Sequence, residues 1–180
     1  MTSRPFHILA ALTVLALSLG SPAPGQSMEE RMMRFKAAFI YHFLDYVYWP
    51  EERQVGPFRI GILGKSPLEE RLRGIAQERE VGGRKLEVRT YDNAETIRDC
   101  HLLFIPEERS KDLQSILALL PPAVLTVADT PGLARKGVGI NFVVVQGKLR
   151  FEVNRQSLQT AGLQAGSQLL RLAILVDESG

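Results

Sequence analysis

Apolar residues dominate positions 29–49 at helical spacing, and the polar residues Arg34, Tyr41, His42 and Asp45 fall on one narrow stripe. The pattern predicts a single long helix from Glu29 to Trp49, stopped by Pro50. A helix apolar around so much of its circumference must be covered by its own domain, by a partner or by a second copy. Beyond it the period changes. Phe58–Leu63 reads as a strand, and Ser66, Pro67 and Glu69 carry the spacing of a helix cap, first-turn proline and capping box for a helix to about Arg79. Gly82-Gly83 turns the chain into Lys85–Tyr91, where Leu86, Val88 and Thr90 alternate with charged neighbours as on an edge strand with one wet face.

Asp92 and Glu95 repeat the capping-box spacing and predict a short helix that ends before Cys100. His101–Ile105 is a nearly continuous apolar strand, Ser110 opens a helix to Leu120, and Val124–Val127 is a further buried strand that runs into Asp129-Thr130-Pro131-Gly132. After Gly137 two β segments, 138–145 and 149–153, are joined by a hairpin turn at Gln146-Gly147-Lys148. Asn154 caps a short helix, and Ser167–Val176 reads as a last, Leu-rich helix. Strands alternating with helices predict an α/β fold: a single domain with a mostly parallel central sheet, an added antiparallel hairpin and helices on both faces.

The N-terminus has a different character. Arg4, the apolar run Ile8–Leu19 and the small residues Ser21 to Gly25 have the layout of an export signal, expected over residues 1–25, with the folded domain at 29–177. The apolar run is short for a bilayer span, which takes about 20 residues. Lys and Arg number 22 against 20 Asp and Glu, so the exported chain is close to neutral and offers no electrostatic footprint for nucleic acid. Cys100 is the single cysteine, which excludes an intramolecular disulfide even in an oxidising compartment. It is expected to be a buried apolar residue or a link between two chains, so a homodimer stays open.

Gly61-Ile62-Leu63-Gly64-Lys65-Ser66 has the layout of a phosphate-binding loop but not its spacing, since two residues rather than four separate the glycines. Cys100 and His101 are strand neighbours facing opposite ways. No nucleophile elbow and no metal-ligand spacing is present, so no catalytic residue, metal or cofactor is expected. Asp129 falls where a central strand ends, the place where open α/β sheets bind ligands, and with Lys65 and Ser66 it forms the candidate small-ligand set. Tyr46, Tyr48 and Trp49, aromatic residues at the end of the first helix, are the candidate partner-binding surface.

Three segments carry a family likeness: Lys36-Ala37-Ala38-Phe39-Ile40-Tyr41 running to Trp49-Pro50; Cys100-His101-Leu102-Leu103-Phe104-Ile105; and Arg150-Phe151-Glu152-Val153-Asn154 with the helix that follows. Together they resemble the YfiR-like family of small periplasmic regulatory proteins. The resemblance implies a periplasmic repressor that binds the periplasmic sensor part of an inner-membrane diguanylate cyclase, or of another receptor, and limits cyclic-di-GMP and biofilm formation. A small solute- or anion-binding module is the alternative reading. The resemblance also implies paired cysteines, for which this chain has no second thiol.

Overall fold

In the computed structural model, residues 27–176 are described, so the expected export signal lies outside the described residues. The fold is α/β, with a mostly parallel sheet at its centre. The first helix, α1 (Met28–Tyr46), starts at a complete capping box: the Ser27 side chain accepts from the Glu30 N–H and the Glu30 carboxylate accepts from the Ser27 N–H. The helix ends at Tyr46 and does not run on to Trp49. Val47 and Tyr48 form a two-residue strand, β1 (Val47–Tyr48), paired antiparallel with β9 (Gln164–Ala165). The backbone leaves the helix because this ladder, with a 2.7 Å bond from the Gly166 N–H to the Tyr46 carbonyl, offers the terminal peptide groups partners that a further helical turn would forgo.

The main sheet has the strand order β10-β8-β7-β6-β5-β2-β4-β3. Its parallel centre consists of β2 (Phe58–Leu63), β4 (Arg84–Tyr91), β5 (Leu102–Ile105), β6 (Leu125–Ala128) and β7 (Ile140–Val145). Counted along the chain, these five lie in the doubly wound order 2-1-3-4-5, so the direction of winding reverses between β2 and β5. The short β3 (Glu80–Val81) folds back on β4 as a hairpin, which leaves β4 the last long strand on that side. The expected second hairpin joins β7 to β8 (Lys148–Asn154), and both residues of its turn, Gln146 and Gly147, have positive φ (51° and 72°), as the tight turn of twisted strands requires.

Alternation along the strands divides the core. Ile60 and Ile62 face α1 together with Leu102, Phe104, Phe142 and Phe151, whereas Leu63, Leu103 and Ile105 face the opposite layer. The first layer holds α1 and α2 (Leu68–Glu78); α4 (Arg155–Thr160) and α5 (Ser167–Leu172) also send their buried leucines, Leu158 and Leu169, into it. The second layer holds α3 (Leu113–Leu119) and several short 3-10 turns.

Four helix assignments need correction. Ser66 does cap α2 by accepting from the Leu68 N–H at 3.2 Å, but Glu69 turns away to pair with Arg73 and the box is not closed. Asp92 and Glu95 open no α-helix: Ala94–Thr96 is one 3-10 turn, held short because Ala94 and Ile97 both enter the second core. Ser110 lies inside the 3-10 segment Glu107–Asp112, and α3 begins only at Leu113, the first residue there to reach the core. The last helix stops at Leu172, and β10 (Ile174–Val176) joins β8 in parallel. The outer edge of β8 would otherwise leave its peptide groups unpaired there.

Candidate functional site

The end of α1 separates the three aromatic residues expected at a contact surface. Trp49 is buried, with 5% of its surface exposed; its indole N–H donates to the Ala123 carbonyl at 3.1 Å and its ring meets Phe58 edge-on at 5.4 Å. It is therefore a core residue. Tyr46 is half-buried and lines an apolar groove of about 260 Å³ between α1, Phe151 of β8, and Leu169 and Leu172 of α5. Tyr48 is 60% exposed, and its neighbour across the small ladder is Gln164. Phe35, one turn before Phe39, is also exposed (43%), so α1 keeps apolar surface that its own sheet does not cover.

At the carboxyl ends of the strands the expected trio is not one cluster. Lys65 is exposed, and Ser66 is committed to capping α2. Both stand at the end of β2, beside the winding reversal, which is the ligand-binding position of such sheets. The cleft of about 740 Å³ that Ser66 lines also contains Glu29, Glu30, Glu69 and Glu70 against Arg71 and Arg73, so its acids outnumber its bases and oppose an anion. Asp129 follows β6 and turns toward α1, where Lys36 donates to its Oδ2 at 2.6 Å. Both side chains are largely buried, and the second oxygen, Oδ1, is buried without a hydrogen-bond partner among the described residues. Lys36 thus takes the place beside Asp129 in which Lys65 was expected. The signal lay in the Lys36-Ala37-Ala38-Phe39 segment: Ala37 is buried, letting the helix approach the sheet, while Phe39 stacks on Phe43 and tilts against Phe151.

A second polar cluster, at the opposite ends of the strands, has no counterpart in the expectations from sequence. His101 is 2% exposed. Its Nδ1 accepts from the Arg59 N–H at 3.0 Å, which places the proton on Nε2, and Nε2–H donates to the Arg53 carbonyl at 2.9 Å. Burial first, and then the nearby charges of Arg53 and Arg84, push the imidazole pKa down from 6.5 to about 4, although the Arg53 carbonyl and Asp99 pull the other way. Arg59 pairs with Asp99 and with Glu87, and Arg53 pairs with Asp99 at 3.3 Å. Arg84 lies with its guanidinium carbon 3.8 Å from the Phe58 ring centroid and donates to the carbonyls of Arg53, Val55, Gly56 and Pro57, stapling that loop to β4. Nothing in the spacing of Arg53, Arg59, Arg84 and His101 reveals that they meet, because parallel strands bring them together from distant points in the chain.

Cys100 is fully buried, and burial drives its thiol pKa up from 9.0 to about 12, so the nucleophilic thiolate is suppressed. No group of three or more His, Cys, Asp or Glu side chains able to hold a metal ion occurs among the described residues.

A protein-family model described as YfiR/HmsC-like matches residues 33–174, nearly the whole of the described fold, and the chain belongs to that family. Comparison with curated proteins gave no match. At the level of the family, membership supports a regulatory role in cyclic-di-GMP signalling and interaction with a membrane signalling partner, and its members are periplasmic. No helix among the described residues is long and apolar enough to cross a membrane.

Proposed function

We propose that this chain is exported to the periplasm and acts by stoichiometric binding to the periplasmic sensor part of an inner-membrane signalling protein, repressing a diguanylate cyclase and lowering cyclic-di-GMP. Family membership across residues 33–174 is the observation that carries this reading. Supporting it, Phe35 on α1 and Tyr48 just beyond its end are exposed, and Tyr46 lines an apolar groove between α1 and α5. Tyrosine at the rim of an apolar groove is a composition typical of interface hot spots.

The test is affinity capture of the exported protein from a membrane extract, followed by cyclase assay of the captured receptor with and without the chain. Co-purification of a cyclase whose activity falls on addition of the chain is the expected result. Capture of no membrane signalling protein, or a cyclase indifferent to the chain, refutes the proposal.

A second reading keeps Lys65 and Ser66 as a small-anion site, favoured by their place at the end of β2 beside the winding reversal. Phosphate or sulfate that shifts the backbone amide signals of residues 64–68 at millimolar concentration supports it. Shifts unchanged in Lys65→Gln remove it.

A further inference from the structure

Arg84 is a half-buried cation that pairs with no carboxylate among the described residues. Its neighbours Arg53 and Arg59 are paired with Asp99, and Arg59 also with Glu87, which Arg89 shares at 2.8 Å, so Asp99 and Glu87 already serve three other arginines. Arg84 makes no ion pair among the described residues; its Nε and Nη2 are held by loop carbonyls, Nη2 also lies 3.3 Å from His101 Nε2, and Nη1 has no hydrogen bond there. Burial and repulsion from Arg53 and Arg59 lower its pKa, the mark of a cation in a field short of negative charge.

The same arginine lines a cavity of about 410 Å³ with Tyr48, Trp49, Gln54, Phe58 and Asp45. Asp45, the one acid of that lining, has its Oδ2 3.8 Å from His42 Nδ1 and makes no ion pair with Arg84. Tyr48 and, on the loop that Arg84 staples, Val55 are exposed at 60% and 73%. A guanidinium clamped on an aromatic face, without an ion pair of its own, is suited to seat an acidic side chain.

We propose that this cavity is a docking socket for an acidic side chain of the receptor protein, with Arg84 as its counter-ion and Tyr48 as its rim. The inference rests on the receptor-binding reading above and supplies the chemistry of one contact. Charge complementarity selects the occupant: the carboxylate restores the balance that Asp99 and Glu87 leave incomplete among Arg53, Arg59, Arg84 and Arg89.

The experiment follows the Arg84 Nε–H and Trp49 Nε1–H signals of the ¹⁵N-labelled exported protein by NMR. The probes are acetyl-Gly-Glu-Gly-amide, its Gln counterpart and free glutarate. The Glu peptide is expected to shift both signals saturably, with at least tenfold preference over the Gln peptide. That response is expected to fall at least tenfold in Arg84→Gln and severalfold in Tyr48→Ala, whose exposed site spares the fold. Equal response to the Gln peptide, or undiminished response in a folded Arg84→Gln protein, overturns the proposal, and the Glu and Gln comparison with Tyr48→Ala decides it even if Arg84→Gln does not fold. Glutarate binding without any response to the Glu peptide also overturns it, by assigning the socket to a free solute. A receptor captured by a chain that shows no carboxylate preference sinks the socket alone, whereas carboxylate binding without any receptor sinks the receptor reading.

Discussion

Lys36 Nζ lies 2.6 Å from Asp129 Oδ2, joining two residues 93 positions apart. The pair ties the middle of α1 to the carboxyl end of β6 where both side chains are largely screened from water. Asp129 Oδ1 has no hydrogen-bond partner among the described residues. Lys36→Met leaves this carboxylate without its counter-ion and is expected to cost about 2 kcal/mol, at the level of a charged group stripped of its bond in a partly buried site. Adding Asp129→Asn removes the stranded charge and is expected to recover part of the loss. Urea denaturation of the two single variants and the double variant measures the coupling.

Trp49→Ala and Tyr48→Ala are expected to diverge although the residues are adjacent. Removing the buried indole opens a cavity and strands the Ala123 carbonyl, at a cost of about 3 to 5 kcal/mol. Tyr48→Ala changes stability by no more than about 1 kcal/mol, since its ring is mostly exposed. Its effect is expected in receptor affinity, a weakening of about 2 kcal/mol if Tyr48 is a hot spot. Melting curves and binding isotherms on the two variants check both halves.

Acid sensitivity follows from His101. Folding depresses the pKa of this base from 6.5 to about 4, so the unfolded chain takes up the proton more readily. The stabilisation is therefore complete above pH 6.5 and is lost as the pH falls toward 4, by about 3 kcal/mol in all. Protonation also converts Nδ1 from acceptor to donor against the Arg59 N–H, among Arg53, Arg59 and Arg84. His101→Gln is expected to be less stable at neutral pH but to lose less between pH 7 and pH 4.5. Parallel slopes for both proteins would remove His101 as the cause.

Gly61 is fixed by its neighbours. A Cβ there would lie 2.7 Å from the Cys100 sulfur and 2.9 Å from the Tyr91 ring. Gly61→Ala is expected to cost about 1 to 3 kcal/mol by overpacking. Cys100→Ala creates room, so the double variant is expected to be more stable than the sum of the single changes implies. Because the thiol is buried with its pKa near 12, folded protein is also expected to resist thiol reagents until it unfolds.

Local sequence chemistry was enough for everything that depends on neighbours in the chain. The apolar runs of β2, β5 and β6, the Gln146-Gly147 turn and the Asn154 cap, whose side chain accepts from the Ser157 N–H at 2.9 Å, all follow from period, turn and cap residues within a few positions. Tertiary structure alone decided the rest. Helical periodicity continues past Tyr46 and past Leu172, but strands elsewhere in the chain offered those peptide groups ladder partners, and β1 and β10 formed instead. Asp129 was legible as a residue at a strand end, yet which lysine reaches it depends on how α1 crosses the sheet. The meeting of Arg53, Arg59, Arg84 and His101 is likewise a product of parallel strand order, in which residues far apart in sequence become neighbours and their charges are balanced, or left unbalanced, only after folding.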